Sequence, residues 1–438
     1  MSTALRSIVS LLLLLGCLVW VSAAAAQMHT LTPWMQDWVR ELENLIHRST
    51  HRSVSRAIVD YRTSNLNDPW QILRYADADV VVLESMYLWS SPNNAGIVAA
   101  LKACNPDIVV LGYVNAHTTW LRWGVENNPA KPTNPYGYAW YNATRPYWSW
   151  TTTGDTVMTW PGKVMLNVCE PACRKAMISI LAEYQETSPN RLDGVFWDCF
   201  NDPLWISPDA KTLRGEVDLD GDGLGYDEDT DEREAYRRSQ ADLVRETRQT
   251  LGDGFIQVFN GARALTDSAF AALSDGMMYE NFPFVGFWGG HEMAQALDPT
   301  LPHNLFTARS WPRRTNGGPY VILSNKDEIT FQDQQGPSID YPLAYFNQVV
   351  ALLTDCAVSF HSDGLMTYGK PLVDIDLGHP LGPPERNPDG FQRQFAKGSV
   401  TMSFAEITPQ VQMSYEIVYQ GRVIQSFHYP HHFPRHSP

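Results

Sequence analysis

The chain has 438 residues, a formal net charge of −15, and 44% hydrophobic and 12% aromatic side chains. That much apolar material supplies a large core and excludes a disordered protein, and an acidic balance without a basic stripe excludes nucleic-acid binding. Much of the excess is local: ten carboxylates and one arginine lie between Glu216 and Glu234, a net −9 in nineteen residues, which points to a cation site.

The chain opens with MSTALR, the apolar run Ile8 to Val21 and a small-residue stretch ending at Ala26. A basic start, a short apolar run and an Ala-rich end predict a secretory signal peptide over 1–26, and hence a secreted or periplasmic protein. The apolar run continues beyond Cys17 as LVWV, which argues against lipoprotein cleavage there. No other segment reaches the ~18 apolar residues of a spanning helix, so no stable membrane insertion is expected. Residues 27–52 form an N-terminal helical segment, in which Trp34, Trp38, Leu42 and Ile46 share one face.

Eight apolar runs rich in β-branched and aromatic residues follow: AIVDY (57–61), DVVVLES (79–85), DIVVLGYVNA (107–116), LDGVFWD (192–198), FIQVFN (255–260), GMMYEN (276–281), YVILSN (320–325) and AVSFHSD (357–363). Stretches of helical character lie between most of them, notably KAMISILAEYQE (175–186), REAYRRSQADLVRETRQTL (233–251) and LAYFNQVVALLTD (343–355). Nearly continuous apolar strands alternating with helices predict a parallel sheet covered on its outside. Eight such units fit a (β/α)8 barrel of the TIM type with enlarged βα loops, over 53–375. No Gly-rich phosphate fingerprint follows any strand, which weakens the open nucleotide-binding sheet. Residues 376–438 begin with the Pro- and Gly-rich DLGHPLGPPERNPDG and continue as alternating apolar and polar runs, a linker and a small antiparallel β appendage.

Active sites of such barrels lie at the C-terminal strand ends. The polar residues there are Arg62, Glu84, Asn115, Asp198, Asn260, Glu280, Asn325 and Asp363. Hydrolysis of a sugar bond needs two carboxyl groups flanking it, and Asp198 and Glu280 are the pair we select. Aromatic neighbours such as Tyr279, Phe282 and Phe284 would desolvate the Glu280 carboxyl, as a general acid requires. Glu84 is a ligand-positioning or structural group, and Arg62, Asn115, Asn260, Asn325 and Asp363 complete the rim as substrate contacts. Residues 117–160 form an aromatic insertion after the third run. Some of its rings must form its own core, whereas Trp120 would stack against sugar faces; Trp197, beside Asp198 with Phe196, would help desolvate that acid and contact substrate.

The segment DLDGDGLGYDED (218–229) has calcium-loop spacing. Asp218, Asp220 and Asp222 occupy positions 1, 3 and 5, Gly223 the turn at 6, the Leu224 carbonyl 7, and Asp229 position 12. A structural Ca2+ bracing the active-site rim is therefore expected. Five cysteines lie beyond the leader, an odd number without a zinc-binding pattern. Cys169 and Cys173 fit either one local disulfide or two buried thiols.

LDGVFWD, followed by VDLDGDGLGYDED, a long helix, IQVFNGAR and MMYENF, resembles the barrel-fold hypothetical glycoside hydrolase family fifteen. The tail DLGHPLGPPERNPDGFQRQFAKGSV resembles that family's closing segment, and the likeness runs from about Ala57 to about Val400. The resemblance implies a secreted or periplasmic carbohydrate-active barrel in which Asp198 matches the strand-four acid of related clans. Glu280 matches their strand-six acid, although there it is commonly Asp. The expected function is a retaining glycoside hydrolase acting on a poly- or oligosaccharide as a monomer, with Asp198 as nucleophile and Glu280 as acid/base. A non-catalytic carbohydrate-binding barrel and a transglycosylase are the alternatives.

Overall fold

The structure is a computed structural model. It describes residues 53–60, 69–91, 94–125, 134–260, 267–280, 320–325, 330–333, 336–339, 341–360, 376–387, 390–404 and 413–429, with Asp37 and Arg40. The expected signal peptide, most of the N-terminal helical segment, Arg62 and Asp363 lie outside the described residues.

All eight apolar runs form strands: β1 (Ser55–Asp60), β2 (Val80–Glu84), β3 (Val109–Asn115), β4 (Gly194–Asp198), β5 (Ile256–Asn260), β6 (Gly276–Glu280), β7 (Tyr320–Asn325) and β8 (Ala357–Phe360). They close into one barrel in which each strand pairs in parallel with its chain neighbours and β8 returns to β1. Val80, Val81, Val82 and Leu83 are all buried; both faces of a parallel strand are covered, so its sequence runs apolar without a break.

The two faces serve different cores. Ala57, Val59, Val82, Leu111, Phe196, Val258, Met278 and Ile322 pack together inside the barrel. Val195, Trp197, Phe259, Met277, Tyr279 and Leu323 instead join the helical layer outside, with Met177, Leu181, Tyr236 and Leu243. Gly194 opens β4 because a Cβ there would lie 2.0 Å from the Ile256 carbonyl oxygen of the adjacent strand.

The helices are α1 (Pro69–Ala76), α2 (Ile97–Cys104), α3 (Pro135–Thr144), α4 (Pro171–Thr187), α5 (Thr230–Leu251) and α6 (Tyr341–Thr354), besides shorter turns. The Asp229 side chain caps α5 by accepting the Asp231 amide at 2.8 Å, Asp231 and Glu232 complement the first-turn dipole, and Gly252 ends the helix at φ 93°.

Beyond the barrel, β9 (Glu385–Asn387), β10 (Gly390–Phe395), β11 (Gly398–Phe404), β12 (Met413–Tyr419) and β13 (Arg422–Tyr429) form a five-stranded antiparallel meander. Its first strand lies within the stretch read from sequence as linker. Arg393 of β10 is 1% exposed and donates to the Leu352 carbonyl at 2.7 Å and the Asp355 carboxylate at 2.6 Å, fastening the sheet to the end of α6.

Candidate active site

Inward-facing positions alternate along each strand, and on five consecutive strands the last residue is inward and polar: Glu84 on β2, Asn115 on β3, Asp198 on β4, Asn260 on β5 and Glu280 on β6. Asn115 and Asp198 are register partners. The Asn260 side-chain nitrogen donates to Asp198 Oδ1 at 2.8 Å and to Glu280 Oε2 at 3.0 Å. One amide thus bridges the two acids selected from the sequence, and two bonds meeting at one atom keep their nearest oxygens within about 6 Å of each other.

Asp198 Oδ2 accepts from the Tyr113 hydroxyl and from Asn115 Nδ2 at 3.3 Å. Tyr113 stacks on Phe196 with ring centroids 6.2 Å apart. Burial, then the charge of Asp198, pushes its phenol well above the usual range, so it remains a proton donor. The strand ends abruptly at the next residue: Cys199 has φ 63°, a left-handed conformation that a non-glycine residue adopts at a cost of about 1 kcal/mol. Its buried thiol lies 3.1 Å from Asn115 Nδ2.

Glu84, at the tip of β2, accepts the Met86 amide at 3.2 Å. Burial raises its carboxyl from 4.5 to about 8, against the opposing effects of the Met86 hydrogen bond and the charges of Lys163 and Arg122, with Asp198 adding to the rise. It is therefore a neutral acid at pH 7, able to donate to a hydroxyl. His117, just past β3, is 1% exposed and lies 3.3 Å from the Tyr236 hydroxyl through Nδ1. Burial lowers its imidazole to about 4, which leaves the ring neutral.

The aromatic insertion has its own three-stranded sheet, Thr118–Trp120, Lys163–Met165 and Met158–Trp160. Trp123, Tyr136, Trp140 and Tyr141 are buried within it and Trp150 is exposed. Trp120 is half-buried, with the Arg122 guanidinium 4.5 Å and the Lys163 ammonium 4.6 Å from its ring centre. Lys163 also lies 4.6 Å from the Trp160 ring, and its charge reaches Glu84 and Cys199, so this wall borders the carboxylates.

Two sequence expectations need correction. Trp197 is fully buried and donates to Gln257 Oε1 at 3.1 Å. Strand alternation turns it into the helical layer, away from Asp198, so it cannot stack on a substrate. Tyr279 likewise faces outward and does not surround the Glu280 carboxyl. Asn325 ends β7, but its side chain, with Phe282 and Phe284, lies outside the described residues. Tyr113, Lys163, Arg122 and His117 were not selected from the sequence. Period-two alternation back from Asn115 could have found Tyr113; nothing local could have found Lys163, which a hairpin brings back from 48 residues beyond Asn115 (163 minus 115).

In the calcium-like loop, one carboxylate oxygen each of Asp218, Asp220 and Asp222 lie within 4.8 Å of one another. Asp229 stands outside that group as the cap of α5, and Leu224 is 48% exposed. Cys169 and Cys173 are free thiols, directed at Ser239 and Met177. Among the described residues no helix is long and apolar enough to cross a membrane.

Residues 102–399, more than half of the chain, match hypothetical glycosyl hydrolase family 15. The chain belongs to that family. This family 15 chain is therefore a glycosyl hydrolase domain on a closed eight-stranded barrel. No curated protein matches it. Among solved structures it is similar to Ega3 of Aspergillus fumigatus in complex with galactosamine, at 12% identity and a TM-score of 0.37 over 72% of this chain and 94% of that one. It is also similar to the GH36 α-galactosidase AgaA of Geobacillus stearothermophilus in complex with stachyose, at 10% identity and a TM-score of 0.44 over 80% of this chain. It spans only 47% of that enzyme. An α-amylase from H. orenii is 12% identical, with a TM-score of 0.39 over 86% of this chain and 87% of that one.

Proposed function

We propose that this chain is an exported retaining glycosidase that cleaves an O-glycosidic bond of a poly- or oligosaccharide. The observation that carries the reading is the Asn260 bridge between Asp198 and Glu280. A separation within about 6 Å suits a carboxylate that attacks the sugar directly and leaves little room for the water that an inverting enzyme places between its acids. Asp198, held by Tyr113, Asn115 and Asn260, attacks the anomeric carbon. The carbon–oxygen bond breaks as the Glu280 carboxyl gives its proton to the departing oxygen. In the second half, the Glu280 carboxylate takes a proton from water, the hydroxide oxygen bonds to the anomeric carbon, and Asp198 is released as a carboxylate. Glu84 donates to a sugar hydroxyl, and Trp120 with Lys163 forms the wall against which the sugar lies.

The test is a polysaccharide screen followed by proton NMR of the first-formed anomer. Asp198→Asn and Glu280→Gln should each lower kcat at least about 10³-fold with unchanged circular dichroism and melting. Azide should restore turnover with an activated substrate in Glu280→Ala. Full activity in either amide variant, or inversion at the anomeric carbon, overturns the assignment; glycan binding without turnover by the wild type would make it a binding barrel.

A further inference from the structure

Asp218, Asp220 and Asp222 lie in the loop between β4 and α5. Asp218 accepts the Gly221 amide at 2.7 Å and the Gly223 amide at 3.0 Å, Asp220 accepts from Asp222 at 3.2 Å, and Asp222 accepts from Leu224 at 2.8 Å. Each carboxylate thereby folds over its own turn, and the three converge within 4.8 Å. Three like charges at that distance repel one another unless a cation sits among them.

An independent observation identifies what completes the set. Glu232, in the first turn of α5, is 1% exposed. One of its oxygens accepts the amide of Leu219, the residue between Asp218 and Asp220. The other, Oε2, is buried without a hydrogen-bond partner among the described residues. The group faces the charges of Asp220, Asp218 and Asp229. A buried carboxylate oxygen without a donor is costly by itself and is the normal state of a metal ligand. Asp229, at position 12 of the spacing, is engaged with the Asp231 amide at 2.8 Å.

We propose that this loop binds one Ca2+ through Asp218, Asp220, Asp222 and Glu232, with Glu232 closing the site three residues later than the sequence spacing places its last ligand. All the donors are carboxylate oxygens, which selects a hard cation, and the long Glu side chain supplies the reach that Asp229 lacks. The site ties separate parts of the rim together. Val217–Asp218 pairs with Trp150–Thr151 of the aromatic insertion, and the Leu219 carbonyl accepts from Asn167 at 2.7 Å. The Tyr226 hydroxyl accepts the Leu204 amide at 3.1 Å, on the segment that follows Asp198.

Calorimetric titration of the chelator-stripped full chain with CaCl2 and MgCl2, alongside thermal unfolding, tests this independently of any activity. One Ca2+ per chain, weaker Mg2+ binding and a melting point raised by several degrees are expected. Glu232→Gln and the exposed Asp220→Asn should each weaken Ca2+ binding at least about tenfold, whereas Asp229→Asn, which keeps a capping oxygen, should stay within about threefold. Absence of Ca2+ binding by the wild type overturns the site. Wild-type affinity in Glu232→Gln, or loss confined to Asp229→Asn, overturns the ligand assignment. Because Asp220 is exposed, its variant separates lost ligation from lost folding should Glu232→Gln unfold.

Discussion

Replacing Glu84 by Gln should make stability nearly independent of pH where the wild type loses it. The Glu84 carboxyl has its proton affinity raised from 4.5 to about 8, chiefly by burial. Between those values the folded chain holds one proton more than the unfolded chain, so stability contributed by this group is full below pH 4.5 and falls as pH rises through 8. At about 1.4 kcal/mol per pH unit the span corresponds to roughly 5 kcal/mol. Water reaching a half-buried carboxyl reduces the loss to roughly 2–5 kcal/mol. Gln has the shape of the neutral acid and no proton to release. Urea unfolding of both proteins at pH 5, 7 and 9 should show the stability of Glu84→Gln relative to wild type rising by that amount, more steeply between pH 5 and 7 than between pH 7 and 9, where the folded group loses its proton too. Parallel profiles would refute the claim that burial keeps Glu84 neutral. His117 acts in the opposite direction: with its imidazole lowered from 6.5 to about 4, its contribution is present above pH 6.5 and disappears as pH falls toward 4, so His117→Gln should flatten the acid side of the same profile.

Trp197→Phe should lower stability by about 1–3 kcal/mol, since it leaves the buried Gln257 oxygen without its donor; melting should fall while KM for any substrate holds, and a KM change with unaltered melting would restore the ring to the cleft. Arg393→Met should cost about 1–3 kcal/mol, because the buried Leu352 carbonyl loses its donor. Limited proteolysis should then cut the β9–β13 sheet before the barrel.

The barrel was legible because strands buried on two sides carry an unbroken apolar signature, and all eight runs, from Ala57–Tyr61 to Ala357–Asp363, contain a strand. Helices α4, α5 and α6 were equally plain from their length. Tip residues Asn115, Asp198, Asn260 and Glu280 could be named because each closes such a run, and the structure brings these four together. Trp197 was misread because adjacency in sequence was taken for adjacency in space, whereas a pleated strand sends neighbours to opposite faces. Lys163 was missed because its approach depends on a hairpin whose return no local pattern encodes. Counting residues assigns Asp229 to the cation loop; it cannot show that the same side chain caps α5, which leaves the fourth ligand of the proposed site to Glu232.

The carboxylate site is built from β3 to β6, and each of these strands pairs with the next in chain order. Its assembly thus precedes nothing more distant than the connection between successive strands. Closing the ring is different: Ser55 must find Ala357, roughly 300 residues away, and the entropy of so long a loop makes that the most demanding search in the barrel. The strand pairs that hold Asp198 thus need far shorter loop closures than the seam between β1 and β8.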